Sequence, residues 1–138
     1  MEMIHMVENE SGCFINLTNH ASDRWSGEQR SAALQYGGIV DVPFPLVPAE
    51  ANEKDVESMA RKLVEEIEPL HPTAVCCQGE MTLTAVIVSQ LQRRGIPCYA
   101  ACCARNAEET QTKNGETIKT SVFRFVRFRR FPDLSAFH

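Results

Sequence analysis

Two hydrophobic patterns alternate along most of the chain. Short apolar runs that end in polar or proline residues are typical of buried strands, and apolar residues spaced by three and four are typical of amphipathic helices. The first pattern predicts four strands, at residues 13–17, 39–42, 73–77 and 96–104. The second predicts three helices between them, at residues 26–36, 56–67 and 82–93. This βαβαβαβ order predicts a parallel sheet with right-handed crossovers and helices on both faces.

The end of the chain has a different pattern. Asn114-Gly115 is a strong hairpin signal, and it joins residues 109–112 to residues 118–128. We expect this hairpin to add antiparallel strands to one edge of the sheet. The predicted fold class is therefore α/β, with one Rossmann-like domain over residues 13–131. The remaining segments are a flexible N-terminal lead-in at 1–12 and a C-terminal tail at 132–138.

The composition agrees with one globular domain. The 138 residues are 43% hydrophobic and 23% charged, and no apolar run approaches the roughly 20 residues that span a bilayer. The N-terminus is acidic and lacks the positive region of a secretory signal. We therefore expect a cytoplasmic protein that has no contact with membranes.

The six cysteines do not favour a disulfide framework or a zinc site. Cys76-Cys77 and Cys102-Cys103 are adjacent pairs, and neighbours on a strand point to opposite faces. The four histidines form no ligand pattern with them. We expect buried, reduced thiols that pack as small hydrophobes, and neither a metal nor a cofactor.

The net charge of −4 is unevenly distributed. Residues 1–97 carry 7 basic and 14 acidic side chains, whereas residues 98–138 carry 7 basic and 4 acidic ones. The basic part includes the run FRFVRFRRF at 123–131, which is either an anion-attracting surface or a solvated strand face.

Polar side chains follow the predicted strands where ligands bind to open parallel sheets, at the carboxyl ends. The candidates that contact a ligand are Thr18, Asn19, His20, Arg24, Trp25, Phe44, Gln78, Gly79, Glu80, Thr82, Thr84, Arg105 and Asn106. Their hydroxyls, amides, rings and charges suit a ligand with phosphates and bases. His20 is the only histidine predicted at this edge, and it is either a functional group or a hydrogen-bonded loop residue. Trp25 could stack on a base or cover the core.

The stretch VCCQGEMTLT is interpreted as the end of a buried strand, a turn and a helix start. Gly79 permits close backbone approach, and the free amides of the helix favour an anion. The stretch is neither a Walker A loop nor a GxGxxG loop. A glycine at such a turn is also common for packing alone, so both interpretations stay open.

The stretches LTNHASDRW, VDVPFP, CQGEMTLT, CARNAEE and FRFVRF together resemble small CRISPR-associated Rossmann-fold proteins, the CARF-like single domains that accompany type III systems. The resemblance spans residues 13–131. It implies binding of a cyclic oligoadenylate messenger, with Thr18, Asn19, His20, Gln78, Gly79, Glu80, Thr82, Arg105 and Asn106 at positions that face the ligand. The chain lacks the glycine pair with a lysine that larger CARF domains carry at the third turn.

The resemblance also implies an activity and a partner. Some members cut the ring without metal, when a ribose 2′-OH attacks the neighbouring phosphate and leaves a 2′,3′-cyclic phosphate. His20 would act as acid and base, with Glu80 or Arg105 in support. A symmetric ring is expected to bind across the two-fold axis of a homodimer. The acidic body disfavours long nucleic acids.

Three alternatives remain open at this point. The protein could bind the ring without cutting it, as a sponge or sensor. It could be an unrelated small α/β enzyme of nucleotide metabolism. It could also be an assembly subunit that uses the arginine-rich final strand as its interface.

Overall fold

The computed structural model describes the backbone of residues 12–137 and the side chains of residues 12–136. The predicted lead-in, apart from Gly12, and the last residue of the predicted tail lie outside the described residues. The strands are β1 (Cys13–Thr18), β2 (Gly38–Asp41), β3 (Ala74–Gln78), β4 (Cys98–Gln111) and β5 (Thr117–Arg130). The helices are α1 (Gly27–Leu34), α2 (Glu53–Ile67) and α3 (Met81–Arg93). Over this part of the chain, no helix has the length and apolar character needed to cross a membrane.

The helices begin where the sequence supplies caps. The Ser26 hydroxyl accepts a hydrogen bond from the Gln29 amide at the start of α1. Asn52 and Asp55 form a reciprocal capping box at the start of α2. The apolar residues of α2 at helical spacing are buried, so its predicted amphipathic character is confirmed.

All five strands form one sheet in the order β2-β1-β3-β4-β5. Strands β1 to β4 are parallel and β5 is antiparallel to β4, which confirms the α/β class and the hairpin at one edge. The chain leaves β1 toward one edge and continues from β3 toward the other. The switch point between β1 and β3 is the place where open α/β sheets bind ligands.

Helices cover both faces of the sheet, as predicted. Ile15, Leu17 and Val75 are fully buried on the face that packs against α2 and α3. Phe14 and Cys76 lie in the cluster on the other face, which includes residues of α1 and of β5. The alternation of neighbours between the two faces explains why these strands are mostly apolar, with Asn16 as a polar residue inside β1.

The sequence interpretation of β4 was wrong. Residues 96–104 and 109–112 were predicted as separate strands, but one strand of 14 residues runs through both. Arg105 and Asn106, predicted in a loop, are strand residues paired with Phe123 and Val122. The pairing of β4 with β5 is irregular at Cys102/Cys103. Residues 103–124, called the ribbon below, extend beyond that point, and almost all of their side chains are exposed.

The segment predicted as a tail packs against the body. The Gln92 side chain donates a hydrogen bond to the Pro132 carbonyl at 2.8 Å and accepts one from the Leu134 amide at 3.1 Å. Leu134 also contacts the hydrophobic cluster under α2 and α3. These contacts fix the chain after β5.

Candidate functional site

A cleft of about 290 Å³ lies at the carboxyl ends of β1 and β3, beside β4. It is lined by Thr18, Asn19, His20, Trp25, Gln29, Cys76, Gln78, Gly79 and Ala101. Pairing between β3 and β4 ends at Cys76 and Tyr99, so the strands separate there. The Gln78 side chain bridges the gap, since its Oε1 accepts from the Ala101 amide at 2.7 Å and its Nε2 donates to the Ala101 carbonyl at 3.3 Å.

A buried network shapes the exit of β1. Asn16 is 2% exposed, and its Nδ2 donates to the His20 carbonyl at 2.8 Å and to Asp41 Oδ1 at 2.9 Å. The Thr18 hydroxyl donates to Asn16 Oδ1 at 2.8 Å. The Ser22 hydroxyl donates to Asp41 Oδ2 at 2.9 Å. The Asp41 carboxylate at the end of β2 thus accepts hydrogen bonds from residues on both sides of His20 in the chain.

The Asp41 carboxyl is stabilised in its charged form. Desolvation by itself would raise its pKa, but hydrogen bonds from Asn16 and Ser22 and the nearby charge of Arg30 together hold the pKa below the usual 3.8. Asp41 is therefore ionised at neutral pH, and its oxygens accept the hydrogen bonds that stabilise the turn.

The exit of β1 presents its polar groups outward. Asn19 and His20 are exposed at the mouth of the cleft. Trp25 is half-buried, with its ring centroid 6.1 Å from that of Phe14 and 5.9 Å from that of Phe128. It therefore covers the core and lines the cleft at the same time, which combines the two interpretations of this residue. Imidazole, amide and indole groups here are available to a ligand.

The turn after β3 is closed on itself. Glu80 caps α3, and its carboxylate accepts from the amides of Thr82 at 3.1 Å and Leu83 at 2.8 Å. The Gly79 amide donates to the Thr84 hydroxyl at 3.1 Å. Hydrogen bonding from the Thr82 hydroxyl, and then from the two amides, lowers the pKa of Glu80. The amides that were expected to attract an anion therefore already bind an anionic side chain of the protein.

Phe44 is a core residue, contrary to its prediction as a ligand contact. Its side chain is 7% exposed and belongs to the cluster under α2 and α3. A Cβ atom on Gly79 would lie 2.4 Å from the Phe44 ring. Gly79 is thus required for this close approach, which is the packing interpretation of the turn.

The remaining candidates lie outside the cleft lining. Arg24 is exposed in the short 3-10 turn after β1, and Thr82 is exposed on α3. Arg105 and Asn106 lie on the ribbon. The structure therefore brings six predicted residues together in the lining: Thr18, Asn19, His20, Trp25, Gln78 and Gly79.

The cysteines have structural environments. Burial raises the pKa of Cys76 and of Cys98 to about 12, and burial also raises the pKa of Cys77. These three thiols are neutral at physiological pH, so Cys76 in the cleft wall is a poor nucleophile. All six cysteines are unpaired. Within residues 12–137, no group of three or more His, Cys, Asp or Glu side chains is arranged to hold a metal ion.

Several residues of the site were not predicted from the sequence. Gln29 and Ala101 line the cleft but were not among the candidates. Asn16 and Asp41 were not considered, although Asn16 is a polar residue inside an apolar strand. Because a buried amide needs partners, that position was the available signal of a network at this strand end.

The chain belongs to the uncharacterized protein MJ1673 family, whose model matches residues 12–129. No curated protein and no solved structure matches the chain. The matched residues include the lining of the cleft and every strand residue of the sheet except Arg130.

Proposed function

We propose that this protein binds a cyclic oligoadenylate in the cleft and cleaves it. The observation that supports this is the chemistry of the lining, which presents the His20 imidazole, the Trp25 indole and the Asn19 amide at the switch point. The Thr18 hydroxyl and the Gln78 amide complete the wall and are already hydrogen-bonded within the protein. Among the described residues that line the cleft there is no carboxylate to repel a phosphate. Trp25 can stack on a base, and His20 and Asn19 can contact the adjoining phosphate and ribose.

The volume of the cleft is the basis for including a second copy of the chain in the proposal. Its volume of about 290 Å³ is at the lower end of small-molecule sites and suits one nucleotide of a ring. The rest of the ring then lies outside the cleft and is available to a second copy. The proposal therefore includes a homodimer that binds the ring across its two-fold axis.

Cleavage in this proposal needs only an acid–base group and held geometry. The ribose 2′-OH gives its proton to the His20 imidazole, and its oxygen forms a bond to the neighbouring phosphorus. The bond from phosphorus to the 5′-oxygen breaks, that oxygen takes a proton from water, and the His20 imidazolium returns its proton to the solvent. The products are a 2′,3′-cyclic phosphate and a free 5′-OH. Positioning and proton transfer contribute most of the acceleration.

The finer assignment of the fold is part of the same proposal. We infer a CARF-like Rossmann domain that acts in the cytoplasm in type III CRISPR signalling. The excess of 14 acidic over 7 basic side chains in residues 1–97 supports a compact ligand over a long nucleic acid.

A binder without catalysis is the second candidate, and one observation favours it. Of the three residues predicted to act in catalysis, only His20 lines the cleft. The Glu80 carboxylate caps α3 and Arg105 bonds to Ser121 on the ribbon. A sponge or sensor needs only the binding surface.

Incubation with cyclic tri-, tetra- and hexa-adenylate in the presence of a chelator tests the proposal. Chromatography follows the products, and a thermal shift with each ring and with AMP follows binding. Linear products from one ring are the expected result. A stabilised protein with an intact ring would establish the binder instead. Stabilisation by AMP alone would point to nucleotide metabolism, and no shift with any compound would reject the cleft as a nucleotide site.

A further inference from the structure

One side of the ribbon continues the wall of the cleft. Ala101 lines the cleft, and side chains two and four residues further along a strand point to the same side. The irregularity at Cys102/Cys103 leaves the extra residue, Val126, on β5, so the alternation along β4 continues. Arg105 therefore lies on that side, about 13 Å beyond Ala101 along the strand at 3.3 Å per residue. Phe123 is the residue of β5 directly opposite Arg105, so it shares this side.

Phe123 is the most exposed aromatic residue described in the chain, at 69% of its surface. The two other phenylalanines of β5, Phe125 and Phe128, are each 8% exposed and contact one another in the core. An aromatic ring exposed to solvent can serve as a stacking platform for a base. The opposite side of the ribbon at this level carries Val122 and Asn106, which offer neither a ring nor a cation.

Arg105 has a fixed but uncompensated charge. Its Nε and Nη2 donate to the Ser121 hydroxyl at 3.1 and 3.0 Å, which holds the guanidinium beside the Phe123 position. Two nearby cations of β5 are in other pairs, since Arg124 is 3.5 Å from Glu28 and Lys119 is 3.8 Å from Glu109. Over residues 12–136, no carboxylate lies within ion-pair distance of Arg105. Its Nη1 is available to a phosphate.

We propose that Arg105 and Phe123 form a second nucleotide subsite, in which Phe123 stacks on a base and Arg105 binds the adjoining phosphate. The subsite takes a nucleotide of the same oligoadenylate whose neighbouring part occupies the cleft, so the inference rests on the proposed function. Its distance from Ala101 places it beyond a mononucleotide held in the cleft. Arg105 thus contributes to binding from the ribbon.

Affinities of Phe123→Ala for AMP, for the three rings and for linear tri-adenylate test this subsite. One stacked base contributes enough that the affinity for the oligoadenylate should fall about 5- to 150-fold, while that for AMP stays unchanged. Phe123→Trp should restore binding. Val122→Ala, on the other side of the same strand, is the matched control and should bind like wild type. Arg105→Gln should weaken oligoadenylate binding and reduce its dependence on salt.

The outcomes separate this inference from the proposed function. If wild type binds AMP and a ring, and Phe123→Ala binds both equally well, the subsite is rejected and the cleft stands. If linear tri-adenylate binds through Phe123 but no ring binds, the subsite stands and the cyclic ligand is rejected. If no oligoadenylate binds to wild type, both proposals are rejected. Unchanged thermal unfolding of these surface variants verifies that they are folded.

Discussion

The first and third strands both end in a polar turn at the same edge of the sheet, but the two turns use their polar groups differently. After β1, hydrogen bonds that involve Asn16 and Asp41 fix the turn, and the side chains of Asn19 and His20 are exposed at the cleft. After β3, the turn satisfies its own amides with Glu80 and Thr84. Polar composition alone does not distinguish the two turns, whereas their hydrogen bonds do.

This difference supports the proposal that a ligand contacts the first turn. A ligand that entered the turn after β3 as an anion would have to displace the Glu80 carboxylate from the start of α3. A ligand at the turn after β1 displaces only water from His20 and Asn19. We therefore propose ligand contact at the first turn, whereas the second turn caps α3 and packs on Phe44.

The largest expected effect comes from replacing His20, compared with replacing Glu80, another of the three catalytic candidates. His20→Ala should lower the rate of ring cleavage about 100- to 10,000-fold, because it removes the imidazole that lines the cleft, and ring affinity should change little. Glu80→Gln should leave the rate near that of wild type. Single-turnover cleavage and binding of intact ring measure the two effects. Equal losses in both variants would contradict the division between the turns.

Gly79→Ala tests whether the second turn is a packing feature. The new Cβ would meet the buried Phe44 ring at 2.4 Å, and overpacking of this kind costs about 1 to 3 kcal/mol of unfolding free energy. Denaturant unfolding measures the loss. Gly27→Ala is the control, because nothing lies within 4 Å of a Cβ at that position, and it should not destabilise. A fully stable Gly79→Ala would indicate that the turn has room for a ligand.

Asp41→Ala tests the network under the first turn. The change removes acceptors from the Asn16 amide and the Ser22 hydroxyl, and we expect a loss of about 1 kcal/mol, since Asp41 is itself exposed. Cleavage should also slow, because the His20 turn loses its support. Glu57→Ala on the exposed side of α2 serves as the surface-charge control. Wild-type cleavage by a destabilised Asp41→Ala would show that the network does not position His20.

The smallest expected effect is in the pH dependence of stability. The pKa of Glu80 in the folded protein is below its usual 4.5, so its capping contribution is present above that value and is lost as the pH falls through the folded pKa. Glu80→Gln should therefore flatten part of the acid limb of the stability curve. Thermal unfolding of both proteins between pH 2 and pH 7 measures this. Parallel curves would mean that the carboxylate does not cap α3 in solution.

The sequence predicted the parts of the fold whose residues bury one face. The periodicity of α2 and the apolar runs of β1 and β3 follow directly from the two-sided packing of the sheet. Residues 105–108 of β4 were not recognised as strand because the ribbon has solvent on both sides. Without a buried face there is no alternation of apolar and polar residues, and Arg105-Asn106 has the composition of a loop.

The candidate site was predictable in position more than in detail. The carboxyl ends of the strands were identified from the βα alternation, and His20 and Trp25 lie at the cleft as expected. The burial of Phe44 could not be predicted from its proline neighbours. It depends on the absence of a side chain at Gly79, which lies far along the chain in the turn after β3. The capping role of Glu80 likewise depends on local geometry that the residue types permit but do not require.

Amide chemical shifts on ligand addition test directly whether the ligand contacts the turn after β1 or the turn after β3. Labelled protein would be titrated with each of the three rings, and with AMP, while the resonances of both turns are followed. The account predicts that the Asn19 and His20 amides and the Trp25 indole shift with the bound compound, while the Thr82 and Leu83 amides keep their positions. Large shifts at Thr82 and Leu83 with none at His20 would contradict it and move the ligand to the start of α3.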